Sequence, residues 1–149
     1  MRCLISKEIE FDYGHRVPNH DSKCKNLHGH RGKVRAVLSG NIIEEEGTSS
    51  EGMLMDFSKV KEILMENIHD YLDHRFIMYK NDKLLPILLE TGCELVIVDF
   101  IPTAENIAKH SFEKVAPIIK MAYGDELRLV SIEFWETPTS KAIWGESES

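Results

Sequence analysis

From Phe57 to Tyr71 the positions Phe57, Val60, Ile63, Leu64, Asn67, Ile68 and Tyr71 recur at spacings of three and four. That is the period of one helical face, so this stretch is an amphipathic helix that must lay its apolar side on something. The flanking segments have a different period. Residues 2–13 place Ile5, Ile9 and Phe11 in alternation with charges, and Gly29 to Ile43 sets Val34, Ala36 and Leu38 on one side of a second strand. Pro102-Thr103 opens a second helix with Thr103 as N-cap, Ile107, Ala108, Phe112, Val115 and Ile119 on its inner face, and an irregularity at Pro117. Two closing strands follow, Leu127–Trp135 and Ser140–Trp144, separated by a turn at Pro138. The order is ββααββ, an α+β fold with an antiparallel sheet covered by helices.

The connections read as loops. Residues 14–27 hold Gly14, Pro18, Asn19, Asp21, Ser22 and Asn26, and Glu44 to Gly52 is a charged turn. Between the helices, Leu95–Val98 reads as a small extra strand. A chain of 149 residues fits one domain, expected to span 1–149 with residues 144–149 as a frayed tail.

Composition excludes several classes. A formal charge of −7 argues against a general nucleic-acid binder. No run approaches the roughly 18 apolar residues of a membrane span, and charges arrive too early for a secretory signal. Three widely spaced cysteines, Cys3, Cys24 and Cys93, form no disulfide framework, so a reducing, cytoplasmic setting is expected. The one basic island is Arg16, Lys23, Lys25, Arg31, Lys33 and Arg35, opposed only by Asp21. A solvated basic face and attraction of an anionic substrate explain it equally well.

Chemistry concentrates in that island. His28-Gly29-His30 puts two imidazoles on one face of an extended chain, about 6–7 Å apart at Cα, within reach of a single ion. His15 ends the preceding strand, and a hairpin-like return brings it opposite the pair. Three histidines leave the fourth position of a tetrahedral Zn2+ for water or substrate, the pattern of a catalytic site. Cys24, four residues before His28, has two competing roles. It closes the site as a fourth ligand, or it stays off the metal as a thiolate base beside Lys23 and Lys25. Spacing does not separate these.

The residues also resemble a known family. Phe11-Asp12-Tyr13-Gly14-His15-Arg16, Cys24-Lys25-Asn26-Leu27-His28-Gly29-His30, Leu72-Asp73-His74, Pro102-Thr103-Ala104-Glu105-Asn106 and Glu136-Thr137 are similar, in order, to the motifs of the 6-pyruvoyltetrahydropterin and 6-carboxytetrahydropterin synthase superfamily. Three residues between cysteine and His-Gly-His are typical of its carboxy-forming branch. The resemblance implies the tunnelling fold, in which ββααββ units join into trimers or hexamers around a β-barrel with active sites between subunits. It implies Zn2+ on His15, His28 and His30, with Cys24 as a catalytic thiol rather than a ligand. It also implies Asp73 and His74 as a second acid/base pair, and Glu136 as the group that grips the pterin. Glu105 is a weaker candidate for supporting the pocket, its alternative role being interaction with the helix dipole.

The activity so implied is conversion of 7,8-dihydroneopterin triphosphate to 6-carboxy-5,6,7,8-tetrahydropterin, acetaldehyde and triphosphate, a carbon–carbon lyase reaction of queuosine or another deazapurine pathway. The partners implied are a pterin triphosphate and further copies of the chain, with no nucleic acid and no membrane. One alternative is 6-pyruvoyltetrahydropterin synthesis, which eliminates triphosphate and leaves the side chain whole. A non-catalytic zinc module closed by Cys24 is the alternative of a different class. Two departures stand out: Tyr13-Gly14 replaces the usual small pair before the first histidine, where Tyr13 would narrow or reshape the pocket, and the segment from Asp82 to Ile101 is long.

Overall fold

The computed structural model describes residues 2–146. Strands β1 (Cys3–His15) and β2 (His28–Gly40) pair antiparallel along their full length, with Ile9 opposite Val34, Phe11 opposite Gly32, Tyr13 opposite His30 and His15 opposite His28. Helix α1 (Phe57–Leu64) follows, capped by Asp56, whose carboxylate accepts from the Ser58 backbone N–H. It runs on through a π-helical stretch (Met65–His69) and a last turn (Asp70–Leu72). Then come β3 (Phe76–Tyr79), α2 (Leu85–Glu90), β4 (Leu95–Val98), the long helix α3 (Ala104–Tyr123), β5 (Leu127–Thr137) and β6 (Ser140–Gly145).

The sheet order is β4-β3-β1-β2-β5-β6. Its four long strands are antiparallel, as expected, but β3 joins β1 and β4 joins β3 in parallel, so the sheet is mixed. Periodicity does not mark β3, because four residues between a helix end and a loop are too short to establish a period. The β1–β3 junction also accounts for Gly14. A Cβ there would lie 2.3 Å from the Phe76 ring, so only glycine lets β3 close on the end of β1.

One face of the sheet is apolar and covered by the helices. It carries Ile9, Phe11 and Tyr13 from β1, Val34, Ala36 and Leu38 from β2, and Ile132 and Phe134 from β5. Against it pack Val60, Leu64, Ile68 and Leu72 from the first helical stretch, and Ile107, Ala108, Val115 and Ile119 from α3. Phe57, expected on that face, is exposed. Leu72 is buried where the sequence period placed Tyr71. The π-helical stretch inserts an extra residue per turn and so rotates the side chains of the last turn about the helix axis. Helix α3 continues through Pro117 to Tyr123.

The expected tail at 144–149 begins inside a strand. Trp144 and Gly145 belong to β6, and the Glu146 N–H donates to the Val130 carbonyl at 2.9 Å. Residues 147–149 lie outside the described residues. Among the described residues no helix is long and apolar enough to cross a membrane.

Candidate active site

The apolar stripe of the sheet changes chemistry at one end. Continuing the same side-chain parity, β1 ends in His15, β2 begins with His28 and His30, and β5 reaches Glu136 beyond Phe134. The three imidazoles converge there, with one ring nitrogen from each within 4.8 Å of the others. His15 Nε2 and His28 Nε2 are 3.0 Å apart, close to the ~3.3 Å edge of a tetrahedron of nitrogens about 2.0–2.1 Å from a zinc ion.

The outer ring atoms fix the tautomers. His15 Nδ1 donates to the Pro102 carbonyl at 2.7 Å, and His28 Nδ1 donates to the Asn26 carbonyl at 2.7 Å. Each bond leaves a lone pair on the inward Nε2, the arrangement that orients histidine for a metal. His30 Nε2 is buried and has no hydrogen-bond partner. A buried nitrogen left unpaired is costly, and a cation at this point satisfies it. Burial, aided by the neighbouring imidazoles and opposed by the Pro102 bond, holds the His15 pKa down at about 4. Burial also lowers that of His30, while Glu136 acts the other way. Both rings are therefore neutral near pH 7, as metal ligation requires. Donor set, tautomers and the orphaned nitrogen all fit a metal ion.

Glu136 is nearer to this cluster than a role in gripping substrate alone requires. Its Oε1 lies 3.3 Å from His15 Nε2 and 3.6 Å from His30 Nε2. It sits where the β5–β6 pairing slips between Trp135 and Thr137, an irregularity that re-aims side chains at a strand end. Glu136 also borders a cleft of about 310 Å³ shared with Cys24, Glu105, His20, Thr103 and Lys141. Cys24 thus shares a cleft with Glu136 but is not one of the groups that converge on the cation position. Glu105 occupies the first turn of α3, whose cap Thr103 accepts from the Asn106 N–H.

Asp73 and His74 are not part of that cleft's lining. They sit at the edge of β1, where Asp73 Oδ1 accepts from the Asp12 N–H at 3.0 Å and the His74 N–H donates to the Asp12 carbonyl at 2.7 Å. His74 Nδ1 donates to Asp73 Oδ2 at 2.8 Å, which raises the imidazole pKa. Burial works against the Asp73 carboxylate, yet the Asp12 N–H and His74 together hold its pKa low. His74 has φ 58°, the left-handed region, and its side chain is 76% exposed. His74 thus combines a left-handed backbone with an exposed imidazole whose Nδ1 is held by Asp73.

Several expectations change. Tyr13 does not narrow the pocket. It is 3% exposed and packs in the core against Phe11, Phe134 and the rings of His15 and His30. Most of the basic island is neutralised: Arg31 pairs with Asp12 and Glu10, Arg35 with Glu8 and Glu133, Lys33 with Glu8, and Arg16 with Asp82. Within that island only Lys23 and Lys25, flanking Cys24, have no ion pair among the described residues. His20 lines the cleft, although no motif marks it. The Pro102 carbonyl, 87 residues from the ring it orients, leaves no trace in sequence. A larger hollow of about 620 Å³ on the opposite face is lined by Arg35, Glu133 and Lys141, which satisfy one another.

The fold and site together define an α+β domain that gathers three histidines able to hold a metal ion at one end of its sheet, with Glu136 beside them. Residues 4–147 match the profile of the 6-pyruvoyl tetrahydropterin synthase family. A Haemophilus influenzae protein named 6-carboxy-5,6,7,8-tetrahydropterin synthase is 35% identical over 140 residues, covering 91% of this chain and 94% of its own. An uncharacterised Wolinella succinogenes protein superposes with a TM-score of 0.80 at 27% identity, covering 99% of each chain. A variant of the Plasmodium vivax 6-pyruvoyltetrahydropterin synthase superposes with a TM-score of 0.73 at 18% identity over 97% of each chain. The chain belongs to the 6-pyruvoyl tetrahydropterin synthase family and has its tunnelling fold.

Proposed function

We propose that this protein is a zinc-dependent 6-carboxy-5,6,7,8-tetrahydropterin synthase, converting 7,8-dihydroneopterin triphosphate to 6-carboxytetrahydropterin, acetaldehyde and triphosphate. The observation that carries this reading is the cleft itself: Cys24 borders it together with Glu136, whose carboxylate lies beside the histidines, and Cys24 is not one of the three residues that converge on the cation position. The name of the Haemophilus influenzae relative supports the carboxy-forming chemistry. A cysteine outside the converging set also weighs against a structural zinc module closed by Cys24.

His15, His28 and His30 hold the ion, which when bound supplies a Lewis acid to the oxygens of the substrate side chain. Cys24 takes up or passes on the side-chain proton as general base. Asp73 keeps His74 in the tautomer with Nε2 free, so the pair serves as a second acid/base. Glu136 accepts parallel N–H bonds from the pterin edge, and Glu105 supports the cleft wall. Lys23 and Lys25 are the cations left for the triphosphate. Because His74 faces away from the cleft of its own chain, the full set of groups requires neighbouring subunits, as in a ring of three or a stacked six. Neither nucleic acid nor membrane is a partner in this reading, and a cytoplasmic enzyme of the queuosine or another deazapurine pathway accords with it.

The test is incubation of zinc-loaded protein with dihydroneopterin triphosphate, followed for acetaldehyde and pterin products, with Cys24→Ala alongside. Acetaldehyde from the wild type and its loss in the variant are expected. A product that retains a pyruvoyl group would replace this reading with 6-pyruvoyltetrahydropterin synthesis.

A further inference from the structure

Arg16 directly follows the metal-site histidine His15, yet its side chain turns away from solvent. Arg16 is 6% exposed and its partner Asp82 4%. Its Nε donates to Asp82 Oδ2 at 2.6 Å and its Nη2 to Asp82 Oδ1 at 2.7 Å, a two-pronged pair. The third arm, Nη1, donates to the Lys25 carbonyl at 2.8 Å. One residue on, the Val17 N–H donates to the Cys24 carbonyl at 2.7 Å. Asp82 is itself held in the turn after β3: the Leu84 N–H donates to its Oδ1 at 2.9 Å, and its own N–H donates to the Tyr79 carbonyl at 2.9 Å.

The segment so gripped has little else to hold it. Between β1 and β2 the chain has a single short turn, Lys23–Lys25. Apart from the Val17–Cys24 bond its backbone bonds are local: His20 to Val17, Lys25 to Ser22 and Asn26 to Lys23. A thiol that moves a proton must be held close to its productive position, since small displacements cost rate steeply. A buried ion pair is a poor way to gain stability, because desolvating both charges offsets their attraction. What this pair provides is direction. A guanidinium locked on a carboxylate through two arms has its remaining arm fixed in the same plane, here aimed at the residue after Cys24.

We propose that Asp82, acting through Arg16, is a positioning residue that clamps the Cys24 loop against the end of β1. Resting on the reaction proposed above, this assigns a role to the start of the long segment from Asp82 to Ile101: it supplies the carboxylate of the clamp. The clamp reaches the cation site as well, because the Asn26 carbonyl, adjacent to Lys25, orients His28.

Two variants test it. Arg16→Lys keeps a charge for Asp82 but has no third arm. Arg16→Met/Asp82→Leu removes both charges at similar volume, so no buried ion is left unpaired. In zinc-loaded protein the rate of Cys24 alkylation by iodoacetamide is followed by peptide mass spectrometry, with exposed Cys93 as internal reference, beside steady-state kinetics. For variants that melt cooperatively and hold one zinc per chain, Cys24 alkylation is expected to rise about fivefold relative to Cys93. In the same variants kcat falls about tenfold while KM stays within about threefold. Faster alkylation in a protein that turns over no pterin substrate keeps the clamp and removes the proposed reaction. Cys24 alkylation equal to wild type in both folded variants, with turnover intact, removes the clamp and keeps the reaction.

Discussion

Two buried polar atoms without partners, His30 Nε2 and the Tyr13 hydroxyl, mark the boundary between core and site, and they call for different remedies. The nitrogen faces two other imidazoles and a carboxylate, so a cation satisfies it. Zinc is therefore expected to raise the melting temperature of metal-free protein, by an amount corresponding to about 2.7 kcal/mol at 100 times Kd. In His30→Ala that gain disappears; calorimetry with and without zinc checks it, and wild-type zinc affinity in the variant would refute the ligand assignment. The Tyr13 ring packs against Phe11 and Phe134, and burial, with Glu136 acting the same way, pushes the pKa of its hydroxyl up. Tyr13→Phe removes an unsatisfied group at almost constant volume, so stability should increase by about 1 kcal/mol, or about 2–4 °C in melting temperature. A lower melting temperature would show that the hydroxyl is satisfied after all.

At the scale of elements, the β1–β3 junction and the outer side of α3 make testable demands. Gly14→Ala forces a methyl into the Phe76 ring, and overpacking of this kind costs about 1–3 kcal/mol. A denaturant midpoint unchanged from wild type would mean that β3 gives way freely. On α3, His110 packs against Phe100 and Tyr71, with Lys114, Glu113 and Asp99 around it. Burial lowers its pKa from 6.5, with Lys114 acting in the same direction. Below pH 6.5 the unfolded chain therefore binds this proton more readily than the folded one, so stability falls as pH falls. His110→Phe should lose less stability than wild type between about pH 7.5 and about pH 5.5 in urea melts. Equal slopes would assign the pH dependence to other groups. Both elements show why a sequence reading stops short. The period of α3 is legible because five inner residues repeat along it, whereas β3 has four residues and owes its place to a glycine on another strand.

For the molecule as a whole, the division of groups is the main feature. Cys24, Glu105 and Glu136 share a cleft, while His74 points outward from the edge of β1. If a neighbouring chain supplies His74, mixing Cys24→Ala with His74→Ala subunits restores sites that neither variant has alone. Random assembly of equal amounts in a ring gives about a quarter of wild-type activity, since each site needs both intact donors. Activity no higher than in the separate variants would place all the groups on one chain. The net charge of −7 is likewise a property of the whole, and it conceals a pattern: Arg31, Lys33 and Arg35 on β2 are matched by acidic residues on β1 and β5 across the sheet.

By itself the sequence determined the parts governed by local chemistry: the helix periods, the strand alternation, the Thr103 cap, and a three-histidine site written as His15 and His28-Gly29-His30. These are legible because neighbours within a turn or a strand set them. Tertiary structure alone decided that the Pro102 carbonyl stands behind His15 and fixes its tautomer. It also decided the inward turn of Arg16 onto Asp82 and the turn of Glu136 towards the histidines. In each of these cases the partner is far away along the chain or set by sheet register, and its energy depends on burial that exists only once the whole core has closed.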